Sequence, residues 1–123
     1  MNFGHTLGHA IESYFLASPS RKRLLHGEAI AIGMVLEAYL SVHCCGLLIE
    51  EANDIKTTFS NHYRIVKISA IEQNEIIALL RHDKKNKAGR INFSLLKSIG
   101  IPKIDIEVPQ EYFSKAFQYY LST

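Results

Sequence analysis

Apolar residues recur at Leu7, Ile11 and Phe15, the spacing of one helix face, and predict a first helix from Thr6 to about Leu16 that Thr6 is able to cap. The polar, basic run Ser18-Pro19-Ser20-Arg21-Lys22-Arg23 breaks it and reads as a solvated loop. A longer helix then runs to about Cys45. Between Ala29 and Val42 its apolar positions go nearly all the way round, the pattern of a helix in the middle of a bundle. Gly33 lets a neighbour pack closely, and Gly46 is a good stop. A weaker amphipathic helix spans about Ile49 to Asn61. Ser69-Ala70-Ile71-Glu72 forms a capping box that opens a fourth helix, running through Leu80 to about Lys84 with Ile76, Leu79 and Leu80 as its buried stripe. Continuing that period places Asp83 and Lys84 on the core side.

After Gly89 the period changes to two. Ile91, Phe93 and Leu95 alternate with Asn92 and Ser94, and Ile104, Ile106 and Val108 alternate with Asp105 and Glu107. The pattern predicts an antiparallel pair joined through Ile99-Gly100-Ile101-Pro102. Pro109 ends the pair, and Glu111 to Leu121 makes a last helix with Phe113, Ala116, Phe117 and Tyr120 inward. The expected fold is mainly α: one bundle-like multi-helix domain over residues 1–123 with a short antiparallel β pair near residues 90–108.

Composition narrows the class without changing the fold. Apolar residues make up 47% and charged residues 21% of 123, which is ordinary globular usage. A net charge of +2, with the basic residues in short runs, gives no argument for a nucleic-acid partner. The longest apolar run, Ala29 to Leu36, is too short for a membrane span, and the N-terminal residues lack the apolar segment of a signal peptide. Cys44 and Cys45 are adjacent on a predicted helix, where their side chains diverge, so reduced thiols and a cytoplasmic setting are expected.

Chemistry concentrates at the start. Of six histidines, His43 and His62 lack an acidic or histidine neighbour at a useful spacing. His5, His9 and His26 lie beside glycines at helix starts. His5 and His9, four apart on one helical face, are the first choice of a metal pair on spacing alone. The metalloprotease helix, however, has Glu after its first His, and Thr6 stands there. His82-Asp83 is similar to the dipeptide of metal phosphohydrolases, but the other positions of that family are not evident. Glu12 and Glu28 read as structural, and Lys84 and Lys85 are also what a helix C-terminus favours.

Asn2-Phe3-Gly4-His5-Thr6-Leu7-Gly8-His9-Ala10-Ile11-Glu12, Leu25-His26-Gly27-Glu28-Ala29-Ile30-Ala31-Ile32-Gly33-Met34, and Asp83-Lys84-Lys85 with Gly89, Arg90 and Leu95-Leu96 together resemble the C-terminal half of the 3-dehydroquinate synthase family. The resemblance is dense over the first third of the chain and extends to about residue 100. It implies a phosphate-eliminating lyase of the shikimate pathway of aromatic amino acid biosynthesis. That enzyme converts 3-deoxy-D-arabino-heptulosonate 7-phosphate to 3-dehydroquinate and phosphate, using NAD and a divalent metal, usually zinc, with cobalt as the alternative. His5 and His26 match metal ligands, with a glutamate of an N-terminal domain as the third. His9 matches a proton-transferring catalytic residue, and Asn2 and one of Lys84 or Lys85 match substrate-binding positions.

The same resemblance places the NAD site mostly in an N-terminal domain that these residues do not contain, since no Gly-x-Gly phosphate loop occurs among them. The chain alone is therefore expected to be inactive and to hold zinc weakly, and the full-length enzyme to be a homodimer. The gap between His5 and His26 is longer than the family pattern suggests, with the extra residues in the Ser18 to Arg23 loop. Three other readings stay open: a related sugar-phosphate cyclase, a metal-dependent alcohol dehydrogenase, and a non-catalytic helical binding module.

Overall fold

The computed structural model describes residues 3–82 and 91–122. Among them the chain forms α1 (His5–Ala17), α2 (His26–Cys45), α3 (Ile49–His62), α4 (Ala70–His82), β1 (Asn92–Ser98), β2 (Ile101–Glu107) and α5 (Glu111–Leu121), a mainly α domain with one antiparallel β pair. The expected architecture is the observed one. Asp83, Lys84 and Lys85 fall outside the described residues, so the reading that turned Asp83 and Lys84 toward the core has no counterpart here.

α2 is the centre of the bundle. It packs against α1, α3, α5 and β1, which is why its apolar residues are not confined to one stripe. It is also the one helix among the described residues long and apolar enough to cross a membrane, yet Ala29, Ile32, Val35, Leu36 and Leu40 are buried in the protein core. Gly46 ends it in the left-handed region at φ 83°, as a helix stop requires. The main core joins α1, α2, α4, β1 and α5 through side chains such as Leu7, Ile11, Phe15, Leu36, Ile76, Phe93 and Phe117. A smaller one, built from Phe3, Ala38, Leu47, Ala52 and Leu96, lies between α2 and α3.

Local signals set several boundaries. The Ser69–Glu72 box is reciprocal: the Ser69 N–H donates to Glu72 Oε1 at 3.0 Å and the Glu72 N–H to Ser69 Oγ at 3.2 Å. α5 buries Phe113, Ala116, Phe117 and Tyr120, the four positions its period predicts.

Three expectations need correction. α1 begins at His5 behind Gly4, which is left-handed at φ 83°, so Thr6 lies inside the helix and does not cap it. On α4 the stripe is Ile76, Ile77 and Leu80, while Leu79 is 41% exposed, because α4 packs against α1 and, more lightly, α5, and its stripe turns toward both. Ile104 is exposed, not inward. Phe93 pairs with Ile106 and Leu95 with Lys103, so Ile104 and Asp105 together oppose Ser94; this bulge, with Asp105 at φ 56°, resets the alternation. The basic loop is solvated as expected, with Pro19, Ser20, Lys22 and Arg23 exposed, and is tied down at Arg21, which lies over the Phe15 ring and donates to the Lys67 carbonyl at 2.8 Å, with Glu72 at 3.5 Å.

Candidate functional site

α1 and α2 run antiparallel, so that Gly4 and Gly8 of α1 lie against Met34 and Ile30 of α2 while Glu12, a turn further along α1, meets His26 at the start of α2. Gly33 lies directly under α1: a Cβ there would stand 2.2 Å from the Gly4 carbonyl oxygen and 2.7 Å from the Gly8 nitrogen. No side chain fits, so the backbones themselves are in contact. This crossing brings together the histidines of separate helices. The His5 and His9 ring centroids are 5.2 Å apart, His9 and His26 6.1 Å, and His5 and His26 6.4 Å. His5 is half-buried, and His9 and His26 face solvent.

Each of two rings has one nitrogen engaged. His5 Nδ1 lies 3.2 Å from the Phe3 carbonyl oxygen, and His26 Nδ1 lies 3.1 and 3.2 Å from the two carboxylate oxygens of Glu12. A carbonyl and a carboxylate only accept, so Nδ1 carries the proton in both rings and Nε2 of the neutral imidazole is left with its lone pair. Ligating histidines are oriented by this kind of support. Among the described residues no three His, Cys, Asp or Glu side chains form a group that could hold a metal ion by themselves. Asn2, Lys84 and Lys85 lie outside the described residues. His43 and His62 are exposed and apart from the cluster; His43 packs between Tyr39 and Tyr112. Cys44 and Cys45 are both free thiols.

Two acids are more engaged than their sequence positions suggest. Glu28 does what a first-turn carboxylate should, accepting from the Leu25 N–H at 2.9 Å and so fixing the start of α2 beside His26. Glu12 orients His26 across the helix pair. Glu37 was invisible as a site residue although it is the one charged residue between Ala29 and Val42, which is the signal that could have found it. It is fully buried, and its two oxygens accept from the Gly4 and Leu7 N–H groups, each at 2.9 Å. Burial pushes its carboxyl up to about 8, while the two N–H groups pull it down. The folded chain therefore keeps a proton that the unfolded chain releases near the ordinary value of 4.5. Stability should be greatest below that value and fall as pH rises toward about 8, and Glu37→Gln should flatten the slope in urea melts taken across this range.

Residues 1–86 match the 3-dehydroquinate synthase C-terminal family. This chain belongs to that family. The 3-dehydroquinate synthase of Parabacteroides distasonis is 37% identical over 120 residues, 98% of this chain and 33% of that protein. That of Picrophilus torridus is 37% identical over 112 residues, 90% of this chain and 31% of the other. The chain thus spans about a third of the length of the relatives it matches. Its fold is similar to the crystal structure of 2-deoxy-scyllo-inosose synthase complexed with carbaglucose-6-phosphate, NAD+ and Co2+, with a TM-score of 0.72 over 99% of this chain and 33% of that one. At 22% identity that likeness is one of fold. The family assignment places the histidine cluster in a 3-dehydroquinate synthase C-terminal domain.

Proposed function

We propose that this chain supplies the metal- and substrate-binding wall of a 3-dehydroquinate synthase, whose NAD-binding wall comes from an N-terminal domain. The observation that carries the reading is the pair of imidazoles, one from each helix, whose Nδ1 atoms are both held by acceptors. That donor set fits a divalent metal, zinc or cobalt, held by Nε2 of His5 and of His26, with one further ligand from outside this chain. When bound, NAD takes up and returns a hydride and the metal polarises the substrate hydroxyl being oxidised.

The chain's own residues do the rest. His9, exposed one turn beyond His5, moves the proton of that hydroxyl. Asn2 and Lys84 or Lys85 bind the substrate, a lysine neutralising its phosphate or carboxylate. The overall reaction converts 3-deoxy-D-arabino-heptulosonate 7-phosphate to 3-dehydroquinate with loss of phosphate, in the cytoplasm and in a homodimer, and the isolated chain does not turn over. Glu12 holds the His26 ring for ligation, so Glu12→Ala should weaken zinc binding by the complete gene product by about 10 to 100-fold. Competition against a chromogenic chelator reads that change, and an unaltered affinity would leave Glu12 without this role.

The test is a substrate panel on the complete gene product with NAD and zinc. Release of phosphate from the heptulosonate phosphate is the expected result. A preference for a hexose phosphate would move the chain to a related cyclase, and reversible oxidation of a plain alcohol to a dehydrogenase.

A further inference from the structure

We propose that Glu37 is a positioning residue for this site, a clamp from the middle of α2 that fixes where the first turn of α1, and with it His5, stands relative to His26. The inference rests on the functional reading above for its purpose, but on independent geometry for its content.

The first turn of any helix leaves N–H groups without partners, and a Ser, Thr, Asp or Asn just before it usually supplies one acceptor. Here that position is Gly4, which has no side chain to offer and whose φ of 83° places it in the left-handed region. The acceptor comes instead from 33 residues away in sequence: Glu37 takes the Gly4 N–H on Oε1 and the Leu7 N–H on Oε2, bracketing His5. Gly33 and Glu37 are four apart and so lie on one face of α2. Gly33 gives the α1 backbone a seat, and the carboxyl one turn on grips its free N–H groups.

The clamp is itself held. Ser41, one turn further, is fully buried; its hydroxyl donates to the Glu37 carbonyl at 2.7 Å and accepts from the Leu96 N–H of β1 at 3.0 Å. Glu37 is therefore fixed at its backbone by the β pair and at its carboxyl by α1. A carboxyl at this depth is costly unless its oxygens are used, and both are used on main-chain donors of the histidine-bearing turn. Glutamine would turn an NH2 group, which cannot accept, toward one of the two N–H groups, whereas either oxygen of a carboxyl, protonated or not, still can. Methionine, of similar length, would leave both N–H groups unpaired.

NMR of this chain as wild type, Glu37→Gln and Glu37→Met decides the matter. In both variants the Gly4 and Leu7 amides should exchange at least tenfold faster and the cross-peaks between the His5 and His26 rings should vanish, while amides of β1 and α5 keep their protection. The proposal is overturned if a folded variant retains wild-type exchange and ring contacts, or if protection falls equally across β1 and α5. Loss of the whole fold in both variants would also overturn it, placing Glu37 in the general core. Should only the glutamine variant unfold, the methionine variant alone is decisive. Zinc added to the wild-type complete gene product, which carries the further ligand, separates this inference from the functional reading. Zinc that leaves the His5 and His26 nitrogens unmoved counts against the metal role, while ring contacts and amide exchange still judge the clamp.

Discussion

Gly33→Ala should lower the melting temperature of this chain by about 10 °C or more, which corresponds to a loss of about 3 kcal/mol. The added methyl would lie 2.2 Å from the Gly4 carbonyl oxygen, 2.7 Å from the Gly8 nitrogen and 2.9 Å from the Gly8 Cα. All three are main-chain atoms, so no side chain can rotate away, and α1 must lift off α2. The usual gain in helix propensity on replacing glycine by alanine, about 1 kcal/mol, cannot offset that displacement. Gly27→Ala is the control on the same helix, since a methyl there meets the Tyr63 hydroxyl at an ordinary 3.5 Å. It should melt within a few degrees of wild type. Equal melting of the two variants would show that α1 does not rest on Gly33.

Turnover should suffer most from His9→Ala. In the complete gene product this change should cut the rate by about 100 to 10,000-fold, the range ordinarily supplied by one positioned acid or base, with the metal retained. The reason is geometric. His9 stands edge-on to His5 with 5.2 Å between centroids and is exposed, so its imidazole can reach a substrate beside the His5 and His26 pair. Turnover reduced by less than tenfold would remove His9 from the proton path.

The difference between what the residues announced and what they concealed has a physical basis. Periodicity reports which side of an element is buried, so the inward set of α5 and the all-round burial of α2 were legible. Side chain to backbone bonds within a few residues were legible too, as in the Ser69–Glu72 box. Glu37 showed only as a lone charge in an apolar helix, because its partners are main-chain N–H groups 33 and 30 residues away that no local pattern reports. Ile104 misled for a related reason: alternation holds only while register is kept, and the bulge opposite Ser94 is a property of the strand pair. At the site, spacing alone proposed His5 and His9 as a metal pair. The motif resemblance transferred the second ligand to His26, and the geometry adds what neither contained, the Glu12 and Phe3 acceptors that orient the two rings.

If two helices of this chain each supply one ligand to a catalytic metal, the metal content of single-histidine variants must divide accordingly. The complete gene product is purified as wild type, His5→Ala, His26→Ala and His9→Ala, passed over a chelating resin and measured for bound zinc. Wild type and His9→Ala are predicted to keep their zinc while His5→Ala and His26→Ala lose it; loss from His9→Ala as well, or retention by His5→Ala and His26→Ala, would refute this division of ligands.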